Sequence, residues 1–358
     1  MSADVHALTE DYERWLAGVI ELVPSGLEKK HEVLASGGLP FLRGTYYLWL
    51  VRVAELLPEV LAAPEVAIVG DLHVENFGTW RDRDQVRRWG VNDLDELATG
   101  PWLLDLLRLA TSAVLTPHID LHTHDICEEL LTAYAEAQPG AAVDLTGSDS
   151  GHLAELVPEF KDPDRFYARL AEGEPTRVPA PVATAAAGVA EPGWRPTWHE
   201  HEAGTGSLGH RRAVGVGPAA DGTPHAREAK QLGPGTAVWA ARHLRDGPRG
   251  DDLYWRVEDA VRGPAGATRV ESWQIRDLAP DVVRIELSGL ARHHARRLLR
   301  SMARAVADVH GADAEQGRRA RAAAAAMEAG RLASLVDTMR KATLDDLDRW
   351  RRDQPEKS

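Results

Sequence analysis

The chain has 358 residues, 44% of them hydrophobic and 27% charged, with 42 basic against 55 acidic side chains and a formal charge of −13. That balance opposes general binding to nucleic acid, which phosphate neutralisation drives, and a lone cysteine, Cys127, excludes an internal disulfide. No apolar run approaches the roughly 18 residues of a membrane span, and the opening MSADVHALTEDYERWLAGVIELV is acidic where an export signal is basic and then apolar, so a cytoplasmic protein of two domains, or one large two-lobed one, is expected.

Residues 6–23 carry Leu8, Tyr12, Trp15, Leu16, Ile20 and Val23 at helical spacing. Gly37-Gly38-Leu39-Pro40 reads as a break, and Phe41 to about Leu57 as a second apolar helix. Val66-Ala67-Ile68-Val69 reads as a buried strand running into Gly70-Asp71-Leu72-His73-Val74-Glu75-Asn76. Phe77 to Trp80 and Val86 to Val91 look like two arms of a hairpin around the polar turn Arg81-Asp82-Arg83-Asp84. It ends in Asn92-Asp93-Leu94-Asp95-Glu96. Pro101 opens a helix, and another spans about 125–137 with Asp125 as its cap. Residues 152–171 are expected to be helical, and five prolines mixed with alanines predict a linker over 171–200. Beyond it, Gly204-Thr205-Gly206-Ser207-Leu208-Gly209 precedes a strand at 210–216, and Arg227-Glu228-Ala229-Lys230 lies on the next. Residues 236–245 read as helix, Leu253 to Val261 and Glu271 to Leu278 as strands, and the chain after Leu287 as helical. The expected organisation is α+β: a first helical part over 1–170, the linker, a β-rich part over 201–285, and a returning helical part over 286–358.

Carboxylates and amides at strand ends near a core are costly unless they pair or hold a metal. Asp71 and Asn76 sit on a loop directly after a buried strand. A hairpin that starts after Asn76 and ends at Asp93 brings these side chains together, with Asp95 close by. Such an oxygen-rich cluster suits Mg²⁺ and phosphoryl transfer. The simpler alternative is that the same groups cap helices and satisfy turn amides.

Gly70-Asp71-Leu72-His73-x-x-Asn76, a hairpin, then Asp93-x-Asp95-Glu96-x-x-x-Gly100-Pro101-x-x-x-Asp105-Leu106 resembles the catalytic core of aminoglycoside phosphotransferase-type kinases. The resemblance implies a protein kinase-like two-lobed fold that binds ATP and Mg²⁺ and phosphorylates a hydroxyl of a small molecule. By it, Asp71 is the catalytic base, Asn76 and Asp93 are metal ligands with Asp95 beside them, and Asp105 braces the catalytic loop. The same stretch, with Phe41-Leu42-Arg43-Gly44 before it and Gly100-Pro101-Trp102 through Arg108-Leu109 after it, also resembles a bacterial family catalogued as domain of unknown function 2252. That likeness runs from about 30 to 313 and is strongest up to 113; Arg43 and His73 belong to its motifs.

In ordinary kinases the glycine-rich loop comes before the catalytic loop, whereas residues 204–209 come after it. The helix Leu298 to His310 resembles the one that enters the catalytic loop in such kinases. A circular permutation follows, with the chain after His310 expected beside the strand before Asp71. The family has lysine where Arg227 stands, and Lys230 is on the opposite strand face by period-2 counting; either is a candidate for the α/β-phosphates, although the two residue types are not interchangeable. Arg276 matches a family arginine near the expected hinge. Two other readings stay open: AMP transfer on the same fold, and a non-catalytic kinase-like binding module. His122-x-His124 imitates a hydrolase metal motif, but it lies between two helices rather than at a strand end and reads as loop and cap.

Overall fold

The computed structural model describes residues 4–352 except 141, 148–150, 159–160, 202–207, 245–246, 251, 286 and 288–289. Helix α1 (Val5–Ala17) starts where Asp4 accepts from the backbone N–H groups of His6 and Ala7 at 3.0 and 2.9 Å. It stops at Ala17 rather than near Val23, because Gly18 caps it and Pro24 opens a separate helix, α2 (Pro24–Leu34). The expected break at 37–40 is instead the first turn of α3 (Gly38–Gly44), where Pro40 costs no intrahelical bond. Helix α4 (Tyr46–Leu56) follows, buried almost all round.

Strand β1 (Glu65–Ile68) leads to the acidic loop, and the hairpin β2 (Phe77–Arg81) and β3 (Arg87–Val91) follows it. Strand β4 (Ala98–Pro101) pairs antiparallel with β1 and feeds α5 (Trp102–Val114). Helix α6 (Thr123–Ala135) has His122 at its N-cap; Asp125 lies in its first turn, where a carboxylate meets the helix dipole. Strand β5 (Val143–Asp144) adds to β3. The helix expected over 152–171 is two, α7 (Gly151–Leu156) and α8 (Pro163–Leu170), and Pro163 starts the second.

The segment expected to be a linker carries two regular elements. It holds α9 (Ala180–Gly188), formed by the alanine run, and β6 (Thr197–Glu200). Strand β6 is the edge of a five-stranded antiparallel sheet with β7 (Arg212–Pro218), β8 (Pro224–Gln231), β9 (Thr268–Val270) and β10 (Trp273–Leu278), in the order β6-β7-β8-β10-β9. Helix α10 is confined to Thr236–Ala240. Residues expected as a strand near 253–261 form α11 (Tyr254–Val261): its buried Tyr254, Val257 and Val261 have spacings of three and four, a helical period that outweighs β-branched and aromatic propensity. Helices α12 (Arg292–His310), α13 (Ala314–Ala325) and α14 (Ala329–Arg352) complete the fold. Among the described residues no helix is long and apolar enough to cross a membrane.

The main core lies where α4, α5, α6, α12 and α14 meet. Two smaller clusters sandwich the sheet: Val182, Ala186, Ala229 and Ile275 on one face, Phe166, Leu170, Val214 and Ala226 on the other. The chain leaving β10 returns across β2, where Thr79 N–H donates to the Val283 carbonyl at 3.0 Å and Val283 N–H to Thr79 Oγ1 at 3.0 Å. The candidate site lies at this junction of sheet and helical body.

Candidate functional site

Strand β1 delivers Asp71 through a turn at Gly70 whose φ of +89° favours glycine. A Cβ there would also lie 2.5 Å from the Glu96 carbonyl oxygen, so the loop and the acidic segment pack backbone to backbone. Asp105, fully buried on α5, accepts from Val69 N–H at 2.7 Å and Gly70 N–H at 3.0 Å. His310, the last residue of α12, meets the same carboxylate at 3.0 Å and is steadied by Tyr134 at 2.7 Å. These bonds fix the loop from beneath. The helix ending in His310 and the following helix α13 both pack beside β1.

Asn76 Oδ1 accepts from His73 N–H at 2.8 Å, which closes the loop on itself. Asn92 N–H donates to the Asn76 carbonyl at 2.9 Å and joins the two feet of the hairpin, so Asn76 and Asp93 line one cavity with Asp71. Asp71 is gripped by Arg108, whose Nε is 3.1 Å from Oδ1 and whose NH2 group is closer still. Arg108 is itself fully buried against the rings of Tyr46 and Trp49. Burial is the largest influence on Asp71 and pushes it up to about 6; Arg108 and Arg43 pull against it, and Asp93 adds to it. Burial also pushes Glu96 up to about 7, although Thr236 donates to it from N–H at 2.6 Å and Oγ1 at 3.0 Å. His73 is held well below the usual histidine range by burial and by Arg43, Arg108 and Arg284. It is therefore neutral, and Arg43 spans it and Glu75.

On β8 the side chains alternate. Lys230 enters the cavity and pairs with Asp95. Glu228 points the same way; burial would raise it, but Arg212 and Arg276 hold it far below the usual carboxylate range. Arg227 faces away, with NH1 3.1 Å from the Gly266 carbonyl and NH2 2.8 Å from Asp277. Of the two candidates on this strand, Lys230 reaches the site and Arg227 does not. Asp95 is paired with Lys230 through one of its two carboxylate oxygens. Arg276 is bound to Glu228 at 2.8 Å and also lines the adjoining cavity. Residues Gly204, Thr205, Gly206 and Ser207 lie outside the described residues. Leu208 and Gly209 end that loop against α2, with Val23 N–H 2.8 Å from the Gly209 carbonyl.

Two cavities meet here. The smaller, about 90 Å³, is lined by Asp71, Asn76, Asp93, Asp95, Lys230 and Lys30, among others. The larger, about 680 Å³, runs between the hairpin β2–β3, strands β8 and β10, and the returning segment to Arg284. Asp93 and Arg284 line both. Neither has a hydrogen bond or ion pair among the described residues.

Residues 22–146 match the family model described as an uncharacterized protein conserved in bacteria, domain of unknown function 2252. No curated protein and no solved structure matches the chain. The matched segment holds Lys30, Arg43, the Asp71 loop, the Asp93 segment, Asp105 and Arg108. Lys230, Arg284 and His310 lie beyond it.

The donor set tests whether a divalent cation fits. Asp93 offers an unpaired carboxylate, and Asn76 Oδ1 has one lone pair left after its bond to His73, a pair of oxygens of the kind Mg²⁺ takes alongside phosphate and water. Among the histidines, cysteines and carboxylates of the described residues, the one set of three whose ligand atoms fall within 4.8 Å of one another is His124, Asp125 and Glu128, on α6. Asp125 there is already bound to Arg296 at 2.8 Å, which marks a surface ion-pair cluster. Sequence reasoning gave no role to Lys30, Glu96, Arg108 or Arg284. Arg108 stood inside a recognised motif, which was a usable signal; Lys30 and Arg284 had none.

Proposed function

We propose that the chain is an ATP- and Mg²⁺-dependent phosphotransferase of the protein-kinase type, two-lobed and circularly permuted, acting in the cytoplasm on a hydroxyl of a small molecule. The observation that carries this reading is that two neighbouring cavities share Asp93 and Arg284 in their walls. The larger has the size of a small-ligand site and suits a nucleoside. The smaller, with the Asp71 carboxylate in it, suits the end of its phosphate chain. Asp93 and Asn76 would hold the metal, whose chemistry is neutralisation of phosphate charge. Lys230 and Arg284 are the basic groups nearest that path.

Asp71 serves as general base. It takes the proton of the acceptor hydroxyl as that oxygen bonds to the terminal phosphorus and the bond from phosphorus to the nucleoside diphosphate breaks. A carboxylate raised to about 6 by burial is well matched to proton transfer near neutral pH. Arg108 fixes one oxygen of the carboxylate and leaves the other available.

The test is thermal unfolding with ATP and Mg²⁺, together with turnover. Wild type is expected to gain about 2.7 kcal/mol at a hundredfold excess of nucleotide over Kd, and Asp93→Ala to lose the Mg²⁺-dependent part. Absence of any shift in wild type would overturn the nucleotide reading. Asp71→Ala is expected to slow turnover by roughly 10²- to 10⁴-fold, with ADP as the product; pyrophosphate would point to AMP transfer instead. The Arg108–Asp71 pair favours one second reading, a non-catalytic binding module in which that carboxylate is structural. Turnover unchanged in Asp71→Ala, or absent from wild type despite binding, would support it.

A further inference from the structure

Helix α2 turns one face inward, and the buried residues on it are Gly26, Lys30 and Leu34, four apart. Gly26 meets the backbone of Gly209, where a Cβ would lie 2.6 Å from the Gly209 nitrogen, so the helix packs backbone to backbone against that segment. Lys30 thus occupies the middle of a stripe where an apolar residue is normal. It is 5% exposed. Its ammonium stands 5.9 Å from the ring centroids of both Tyr12 and Tyr47 and has no hydrogen bond or ion pair among the described residues. Burial pushes the Lys30 ammonium below the usual lysine range, with Glu13, Asp71 and Glu96 pulling the other way, so a bound anion would favour its charged form.

The rest of the small cavity is accounted for. Arg43 holds Glu75, Arg108 holds Asp71, Lys230 holds Asp95, and Thr236 holds Glu96. Asp93, Arg284 and Lys30 are left over. A volume of about 90 Å³, beside about 680 Å³ for the adjoining cavity, suits a compact group rather than a whole substrate. Four basic side chains and five carboxylates line it. A divalent cation at Asp93 turns that balance positive and makes room for an anion.

We infer that this cavity is a single-oxyanion subsite beside Asp71, in which Lys30 is the buried counter-charge for a phosphoryl or carboxylate group. This rests on the proposed phosphotransfer for the identity of its source, either the terminal phosphoryl of the donor nucleotide or an anionic group on the acceptor. It makes Lys30 a binding residue that the metal-dependent anion completes.

The experiment uses the full chain with Mg²⁺ and compares wild type with Lys30→Met and Lys30→Gln by calorimetry. The ligands are ADP, a non-hydrolysable ATP analogue, and orthophosphate with and without that analogue bound. If the donor phosphoryl is the ligand, the variants bind the ATP analogue about tenfold or more weakly and ADP as wild type does. If the acceptor supplies the anion, the ATP analogue binds unchanged and orthophosphate added to its complex is lost. Either result supports the subsite and names its source. Should wild type bind no nucleotide, the phosphotransfer reading falls, but loss of orthophosphate binding with Mg²⁺ alone still supports Lys30. Unchanged affinities in both variants, or no anion bound by wild type, would overturn the inference. The melting temperature of ligand-free Lys30→Met is expected to equal or exceed that of wild type, which separates lost binding from lost folding.

Discussion

Asp105 does the most for the site without touching any ligand cavity. Its buried carboxylate joins Val69, Gly70 and His310, so replacing it with alanine removes the acceptor of two backbone donors and the partner of His310 Nε2, whose Nδ1 keeps Tyr134. Asp105→Ala is expected to lose about 3–5 kcal/mol in urea unfolding, and Asp105→Asn less, because one acceptor oxygen survives. Equal losses would show that the oxygen geometry is not what matters. Asp105 was legible as a brace because its spacing from Asp93 sits in a recognisable pattern. Lys30 was not, because Glu28-Lys29-Lys30-His31-Glu32 reads as a solvated helical face. Only contact with Gly209 and Tyr47, far along the chain, decides which of the two lysines turns inward.

Strand β8 shows what one element contributes. Its pleat sends Glu228 and Lys230 toward the cavities and Arg227 toward Gly266 and Asp277. Lys230→Met is therefore expected to weaken the thermal shift by ATP and Mg²⁺ by at least half, and Arg227→Met to leave it within error of wild type; the reverse order would reverse the assignment of faces. Period-2 counting already separated these residues, but it could not tell which face the site lies on, since that depends on the neighbours β7 and β10. The hairpin β2–β3 was legible because strand propensity and turn chemistry agree. Helix α11 was not, because aromatic and β-branched residues happened to fall on a helical period. The helix α9 and strand β6 were hidden by prolines that mark their ends rather than a disordered tract.

At the scale of the molecule, buried carboxylates set the response to acid. Burial raises Asp71 to about 6, and Glu96 and Asp308 to about 7. For each of these the folded chain holds its proton to a higher pH than the unfolded chain, whose carboxylates release theirs near pH 4. Between about pH 4 and 7 the native state binds more protons, so their contribution to stability is full below that window and falls as pH rises through it. Glu228 and Asp82, held low by arginines, act in the opposite sense below pH 4. Asp308→Asn isolates one term: its stability relative to wild type is expected to climb from pH 4 to 7, by up to about 4 kcal/mol. A flat difference would mean that Asp308 titrates normally. The bond between His310 and Asp105 also has a consequence during synthesis. The loop that carries Asp71 is complete in the first third of the chain, yet its brace waits for a partner 205 positions later. Domains tend to fold from the N-terminus as they emerge from the ribosome, but here a nascent chain shorter than 310 residues carries the Asp71 loop without its final support. The order of this loop is thus set by a long-range contact that forms only once α12 has been made, and not by the local sequence alone.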